Sequence, residues 1–224
     1  RHAETTVLEL IPTALMPDGT RLYPVGRLDI DSEGLLLLTN DGPWADHVLH
    51  PRFGVQREYA VALDRPLSQE QAAALRTGIQ LEEGLALLEV PLRPATAIET
   101  RTLVELLHPA PDPGYVWYRA VLAQGWKRQL RRMFASLGTP ILRLVRVRIG
   151  TVRLDRLPTG RSRLLRTPEI RQLGTVPAGP RPPRAVPARD RLAPPGVPSP
   201  SKGKPKAQQK AQQKGAPGST GPRR

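Results

Sequence analysis

Three carboxylates crowd one short polar segment of the chain, and carboxylates can act as nucleophiles, bases or acids. They are Asp29, Asp31 and Glu33, directly ahead of an apolar run that begins at residue 35. Catalytic groups concentrate in loops that a rigid scaffold positions. Asp29 is flanked by Leu28 and Ile30, and these apolar neighbours predict a carboxylate that is not simply solvated. The same composition also suits a polar turn without chemistry, so the residues alone leave both interpretations open.

A second segment, residues 127–137, is predicted to be a helix with an unusual density of cations. Its apolar side chains recur at helical spacing and form one buried stripe: Leu130, Met133, Phe134 and Leu137. Lys127 and Arg131 flank that stripe, whereas Arg128 and Arg132 point away from it. Like charges four residues apart cost about 0.2–0.5 kcal/mol per pair in an isolated helix. A nearby anion would offset this cost, RNA phosphates beside the outward pair and a buried carboxylate beside the flanking pair; a solvated basic face is the alternative.

The elements that must position these segments follow from the apolar pattern of the rest of the body. Predicted strands cover residues 34–39, 57–63, 85–92, 102–107, 117–122 and 141–149. Predicted helices run from the capping box at Ser68 to Arg76, ahead of Gly78; over 127–137, ahead of Gly138; and from Thr167 onward. This order predicts an α+β fold with a mixed, mainly antiparallel sheet, in one domain over residues 1–174.

The last of these strands, residues 141–149, has the pattern of a half-buried strand with a basic outer side. Successive side chains of a strand point to opposite faces. Arg143 and Arg146 therefore cannot both face one ligand.

The formal net charge of +14 is concentrated at the C-terminal end. From residue 175 onward eleven Lys and Arg stand against a single acid, and Pro, Gly, Gln and Ser dominate. Such a segment has too few apolar side chains to offset the entropy of ordering its backbone, so residues 175–224 are predicted to be a disordered basic tail. A basic body with this tail favours a polyanionic partner, most commonly nucleic acid. A tail that only increases solubility is the alternative.

Composition also excludes several classes of protein. The chain has no cysteine, so it contains neither disulfides nor thiolate zinc sites, which fits a reducing cytoplasm. It has no apolar run long enough to span a membrane and no visible signal peptide. Its four histidines show no metal-ligand spacing. We therefore expect a cytoplasmic protein, and the histidines give no sign of a metal site.

Four motifs together resemble a known family. Gly26–Asp29, followed by Ser32–Leu37, is similar to the signature loop of the RsuA-type pseudouridine synthases, which modify bacterial ribosomal RNA. The other motifs follow in the family's order: Arg57–Tyr59 resembles the strand that carries an active-site tyrosine, Gly125–Met133 the basic motif, and Leu144–Gly150 the last motif. Four motifs in sequence are a specific match, and they cover nearly all of the body.

The resemblance implies a role for each matching residue. Asp29 would be the catalytic carboxylate, which either attacks the target uridine or removes a proton from its ribose. Arg131 would form a salt bridge with Asp29 and hold it ionised, since a nearby cation favours the charged form. Tyr59 would stack on the target base and Leu144 would wall the pocket. The full set of implied substrate-binding residues is Arg27, Tyr59, Lys127, Arg131 and Leu144.

The implied reaction breaks the N1–C1′ bond of a uridine and rejoins the base through C5, without a cofactor. The uridine must leave the base stack, because these atoms are inaccessible in a stacked helix, and Arg27 would fill the gap. The expected partners are ribosomal RNA and pre-ribosomal particles, bound by a monomer. Two other functions stay open: a non-catalytic RNA-binding or ribosome-assembly protein on the same fold, and a glycosidase-like enzyme that pairs Asp29 with Asp31 or Glu33.

The chain also departs from the family pattern at its start. Family members begin with an earlier strand carrying a Lys-Pro-x-Gly motif, often preceded by a small S4-type RNA-binding domain. Residues 1–12 are similar to the segment just after that strand. We therefore expect an N-terminal truncation that removes the strand and any S4 domain.

Overall fold

A five-stranded antiparallel path forms the centre of the computed structural model, which describes residues 6–16 and 21–175. The strands of the described residues are β1 (Tyr23–Val25), β2 (Glu33–Gly34), β3 (Leu37–Thr39), β4 (Arg57–Leu63), β5 (Ile79–Leu81), β6 (Gly84–Ala86), β7 (Arg93–Pro94), β8 (Val116–Leu122), β9 (Arg143–Ile149) and β10 (Val152–Arg153). The α-helices are α1 (Gly42–Leu49), α2 (Gln69–Thr77), α3 (Ala97–Leu106), α4 (Gln129–Ser136) and α5 (Thr167–Thr175). Short 3-10 turns cover Val7–Leu10, Thr13–Leu15 and Pro51–Phe53.

The strand order of the central sheet is β10-β9-β4-β8-β7, and β2 pairs with β9 in parallel. Two separate hairpin-like pairs, β1 with β3 and β5 with β6, accompany it. The fold is therefore α+β with a mixed, mainly antiparallel sheet, as the sequence predicts. The strand predicted over residues 57–63 is confirmed as β4, and those predicted over 117–122 and 141–149 are confirmed as β8 and β9 with small shifts of their ends.

Side chains of β4 alternate between two cores. Val61 and Leu63 face one core, which also receives the buried residues of α4. Ala60 and Ala62 face the other, which is closed by Leu103 of α3. A third cluster joins β1, β3 and α1 to the end of β9. The sheet is thus covered on both faces, and α4 and α3 lie on opposite sides of it.

Two predicted strands are wrong. Residues 34–39 do not form one strand: β2 pairs with β9, β3 pairs with β1, and the chain changes partners between them. Residues 102–106 lie in helix α3 and Leu107 is its C-cap; the helix starts upstream at a capping box in which Thr96 and Glu99 satisfy each other's backbone N–H groups. The capping box favours a helix here over the predicted strand. Of the strand predicted over 85–92, only residues 85 and 86 lie in a strand, β6.

The helix predictions hold better. The capping box of Ser68 and Gln71 is present, and α2 ends at Gly78 as expected. Helix α4 ends ahead of Gly138 but begins only at Gln129, because Arg128 adopts a left-handed conformation with φ 52°. Residues 127 and 128 therefore lie outside the helix, and the predicted like-charge pairs at helical spacing do not form.

No helix in residues 6–16 and 21–175 is both long and apolar enough to cross a bilayer. The predicted basic tail lies almost entirely outside the described residues. The division into a domain over 1–174 and a tail over 175–224 stays a prediction.

Candidate active site

A tight turn presents Asp29. The backbone N–H of Ser32 donates a hydrogen bond to the Asp29 carbonyl over 2.8 Å, so Ile30 and Asp31 are the central residues of the turn. The turn directly precedes β2, which pairs with β9. Asp29 is half-buried. The polar composition around residue 29 thus does make a turn, and the turn is attached to the central sheet.

Two arginines fix the second carboxylate, Asp31, rather than Asp29. Arg128 donates bidentate hydrogen bonds to the Asp31 carboxylate at 2.8 and 2.9 Å. Arg131 donates from Nη2 to the Asp31 carbonyl over 2.5 Å, and its Nε lies 3.2 Å from Asp31 Oδ2. The predicted salt bridge between Arg131 and Asp29 is therefore wrong in this structure, because the turn places Asp31 against the guanidinium.

The electrostatics of Asp31 follow from these contacts. The hydrogen bonds from Arg128 and the charge of Arg131 lower the pKa of the Asp31 carboxyl below its usual value. Asp31 is therefore ionised across the neutral pH range. Its ion pairs with Arg128 and Arg131 join the turn to the start of α4.

Arg143 holds Glu33, the third carboxylate, with bidentate hydrogen bonds of 2.6 and 2.7 Å. Among the described residues, Asp29 forms no such ion pair. It remains within electrostatic range of both Arg128 and Arg131. Burial lowers the pKa of Arg131 and the hydrogen bonds to Asp31 raise the pKa of Arg128, and the charge of Asp29 makes a smaller upward contribution to each. Asp29 is thus the carboxylate of the three that its surroundings leave available for chemistry, in a positive field.

Arg146 anchors the segment that carries Asp29. This residue of β9 is only 4% exposed. Its Nε donates to the Leu35 carbonyl over 2.7 Å, and its Nη1 donates to the Arg27 carbonyl over 3.1 Å. One guanidinium therefore binds the backbone both before and after the turn. The expected basic outer side of this strand is therefore wrong for Arg146, which is buried against backbone oxygens. The sequence held a signal for this role, since Arg146 shares strand parity with the buried Leu144.

Gly34 lets the segment approach β9 closely. Its φ is +99°, and a Cβ atom there would lie 2.4 Å from the Arg146 carbonyl oxygen. The backbone N–H of Leu35 donates to that same oxygen over 2.8 Å. A glycine is required at this position because both the backbone angle and the contact exclude a side chain.

Tyr59 and Leu144 lie on the face of the sheet that α4 covers. Tyr59 stands opposite Arg146 in the β4–β9 register, and Val61 stands opposite Leu144. Tyr59 and Leu144 are therefore diagonal neighbours on one face. Tyr59 is half-buried against the core cluster that contains Leu144, which is 5% exposed. The structure thus brings the predicted tyrosine and leucine together on one face of the sheet, and Arg146, which stands opposite Tyr59, is the residue that anchors the turn.

The remaining predicted site residues are at the surface. The side chains of Arg27 and Lys127 are exposed. Arg132, predicted to face RNA phosphates, instead donates bidentate hydrogen bonds of 2.8 and 2.7 Å to Glu83. Arg128, its predicted companion, is likewise paired, with Asp31. The outward cations thus meet carboxylates of the chain itself.

A cavity of about 700 Å³ lies behind the turn, lined by apolar residues that include Leu28, Leu36 and Trp44. Asp29, Tyr59 and Arg131 are not among its described lining residues. The candidate site is therefore the open surface between the turn, α4 and β9, rather than this cavity. An open site suits a large substrate of which only one chemical group has to reach the carboxylate.

The sequence matches one family model, described as RNA pseudouridylate synthase, over residues 13–136. The chain belongs to this family. The match covers the turn, Tyr59 and the basic segment up to the end of α4, which are the elements that build the site. The resemblance to the RsuA-type pseudouridine synthases is thus confirmed.

Several relatives of known name support this assignment. The chain is 36% identical over 161 residues to a ribosomal large subunit pseudouridine synthase B of Haemophilus influenzae, and this match covers 71% of the chain and 40% of that protein. It is 40% identical over 156 residues to a ribosomal large subunit pseudouridine synthase E of Xanthomonas axonopodis, covering 64% of the chain and 74% of the relative. It is 35% identical to a ribosomal small subunit pseudouridine synthase A of Salmonella typhimurium over 159 residues, covering 70% of the chain and 62% of the relative.

The fold agrees with a solved structure of the family. The crystal structure of a pseudouridylate synthase superposes with a TM-score of 0.58 at 28% identity, over 75% of this chain and 65% of the other. The chain thus spans 40% of the Haemophilus relative and about two thirds of this structure.

Proposed function

We propose that this pseudouridine synthase family member converts a uridine of ribosomal RNA to pseudouridine. The observation that carries the proposal is the contrast among the three carboxylates of the turn. Asp31 and Glu33 are each held by bidentate arginine contacts, whereas Asp29 is left unpaired among the described residues, in the field of Arg128 and Arg131. The three named relatives act on ribosomal RNA according to their names, which supports the same substrate class here.

The isomerisation exchanges two bonds and needs no net input of atoms. The N1–C1′ bond breaks and a C5–C1′ bond forms, while the proton leaves C5 and N1 gains one. Asp29 either attacks the uridine or removes a proton from its ribose, and both routes require an ionised carboxylate. The guanidinium of Arg131, which is 11% exposed as a side chain, places a fixed positive charge at the turn.

The other residues take the roles that the family resemblance implies, and their positions are compatible with these roles. Tyr59 stacks on the displaced uracil, and Leu144, in the core cluster against which Tyr59 packs, walls the pocket. Arg27 fills the gap in the RNA and Lys127 binds the substrate, and both side chains are exposed. On this proposal the substrate is ribosomal RNA, free or in pre-ribosomal particles, and the enzyme acts in the cytoplasm as a monomer.

The pairing of the other carboxylates speaks against a glycosidase-like mechanism. That mechanism requires a second free carboxyl group as general acid, with a raised pKa. The pKa of the Asp31 carboxyl is lowered instead, by hydrogen bonds from Arg128. Glu33 is held bidentately by Arg143. Neither neighbour of Asp29 is suited to donate a proton.

The test is to treat unmodified transcripts of the small- and large-subunit ribosomal RNA with the protein and to map pseudouridine by carbodiimide modification. The proposal predicts product at one or a few uridines. A non-catalytic ribosome-assembly protein would instead bind the transcripts in a salt-sensitive manner and leave every uridine unchanged.

A further inference from the structure

Ile30 is the most exposed of the large apolar side chains in the described part of the chain. It is 103% exposed, against 68% for the next, Ile98 and Leu164. Single exposed apolar residues are common on protein surfaces. This one differs because it is the residue directly after Asp29, at the tip of the turn.

The turn presents Ile30 rigidly. Its neighbour Asp31 is held by three hydrogen bonds from Arg128 and Arg131. The base of the segment is held by Arg146 through the carbonyls of residues 27 and 35. Ile is β-branched, so its own side chain has few conformations. An immobilised aliphatic side chain loses little further entropy when it binds.

Cations outnumber carboxylates around Ile30. Its two chain neighbours are Asp29 and Asp31, whereas Arg128 and Arg131 contact Asp31 and the side chains of Arg27 and Lys127 are exposed on the neighbouring segments. A ligand that suits both features carries negative charge and flat apolar surfaces together. Unpaired RNA has this chemistry, since its phosphates are anionic and its base faces are apolar.

We propose that Ile30 packs against the face of the RNA base that neighbours the displaced uridine. The inference rests on the proposed function, because it assigns the tip of the turn to the same RNA. When a base leaves a stack, its neighbours expose their faces. Aliphatic side chains, including Ile, are used as wedges at such steps in nucleic acids. Ile30 thus keeps the stack open while Asp29, one residue away, faces the displaced nucleotide.

The test compares Ile30→Ala with Ile98→Ala, a matched control on α3, which lies on the opposite side of the sheet from α4. Binding to unmodified ribosomal RNA transcripts is measured by filter retention over a series of salt concentrations. Ile30→Ala is expected to weaken binding by about tenfold, because an aliphatic contact is lost. The slope of affinity against salt stays unchanged, because no phosphate contact is lost. Ile98→Ala binds as the wild type does.

The possible outcomes separate the two proposals. If the wild type forms pseudouridine and Ile30→Ala binds RNA as tightly as the wild type does, the contact between Ile30 and a base is refuted and the proposed function stands. If the wild type forms no pseudouridine but Ile30→Ala still weakens binding at constant salt slope, the proposed function fails and the contact stands. A reduced salt slope in Ile30→Ala, or no RNA binding by the wild type, overturns the inference.

Discussion

Replacement of Gly34 by alanine tests how tightly the turn that carries Asp29 is joined to the sheet. The added Cβ would lie 2.4 Å from the carbonyl oxygen of Arg146 and 2.8 Å from its backbone nitrogen. Both atoms belong to central strand β9, which is paired with β4 along its length. The obstacle is therefore backbone that cannot move alone, and the segment with Asp29 has to shift instead.

The expected loss of stability has three parts. A positive φ costs a non-glycine residue roughly 1–2 kcal/mol. Forcing extra volume into a packed site costs about 1–3 kcal/mol. Losing the hydrogen bond from Leu35 N–H to the Arg146 carbonyl costs about 0.5–1.5 kcal/mol. Gly34→Ala should thus lower the free energy of unfolding by about 3–6 kcal/mol, a large share of the total for a domain of this size.

Two other glycines separate these contributions. Gly138 has φ +69° with nothing within 4 Å of an added Cβ, so Gly138→Ala should cost only the roughly 1–2 kcal/mol of backbone strain. Gly125 has neither a positive φ nor a neighbour within 4 Å, so Gly125→Ala should change stability by less than about 0.5 kcal/mol. Urea denaturation of all three variants at 25 °C measures the differences. If Gly34→Ala loses no more stability than Gly138→Ala, the close contact with β9 is not what holds the turn.

Two predictions concern the ion pairs of the sheet. Hydrogen bonds from Arg93 lower the pKa of the Glu99 carboxyl from 4.5 to about 2, so this pair stabilises the fold above pH 4.5 and loses its effect as the pH falls toward 2. The urea midpoint of the wild type should drop over that range, and Glu99→Gln should flatten the drop; an unchanged pH profile would contradict the pairing. Glu58, 7% exposed, accepts hydrogen bonds of 2.8 Å from both Arg119 and Arg148. Glu58→Ala removes the hydrogen-bonded carboxylate of both guanidinium groups and leaves Arg119 only the more distant Glu99, at 3.8 Å. The variant should cost about 3–5 kcal/mol by the same assay, whereas a loss below about 1 kcal/mol would refute this account.

Elements with a strong local signal could be predicted from the sequence. Alternating apolar residues gave β4 with its bounds, and the Ser68–Gln71 capping box gave α2. The split of residues 34–39 into two strands could not be predicted, because it depends on pairing between Gly34 and Arg146, which are far apart in sequence. Helix α3 was missed, because the prediction followed the apolar residues of 102–107 and did not recognise the capping box at Thr96.

The site shows the same division between local and long-range information. The motif that contains Asp29 and the tyrosine at residue 59 were found from the sequence. The partner of Arg131 was not predicted correctly. Asp29 and Asp31 are two positions apart in one turn, and only the folded geometry decides which carboxylate contacts the guanidinium. The anchoring role of Arg146 is likewise a long-range effect, since it joins backbone oxygens more than one hundred residues away.

The most direct test of the central claim compares Asp29→Asn with Asp31→Asn in single-turnover assays that follow tritium release from C5-labelled uridine in ribosomal RNA transcripts. Asp29→Asn should release no tritium while it binds RNA as the wild type does. Asp31→Asn should keep measurable activity, because it loses only part of the clamp on the turn. Tritium release by Asp29→Asn at a rate similar to the wild type, whatever the activity of Asp31→Asn, would contradict the assignment of the free carboxylate as the catalyst.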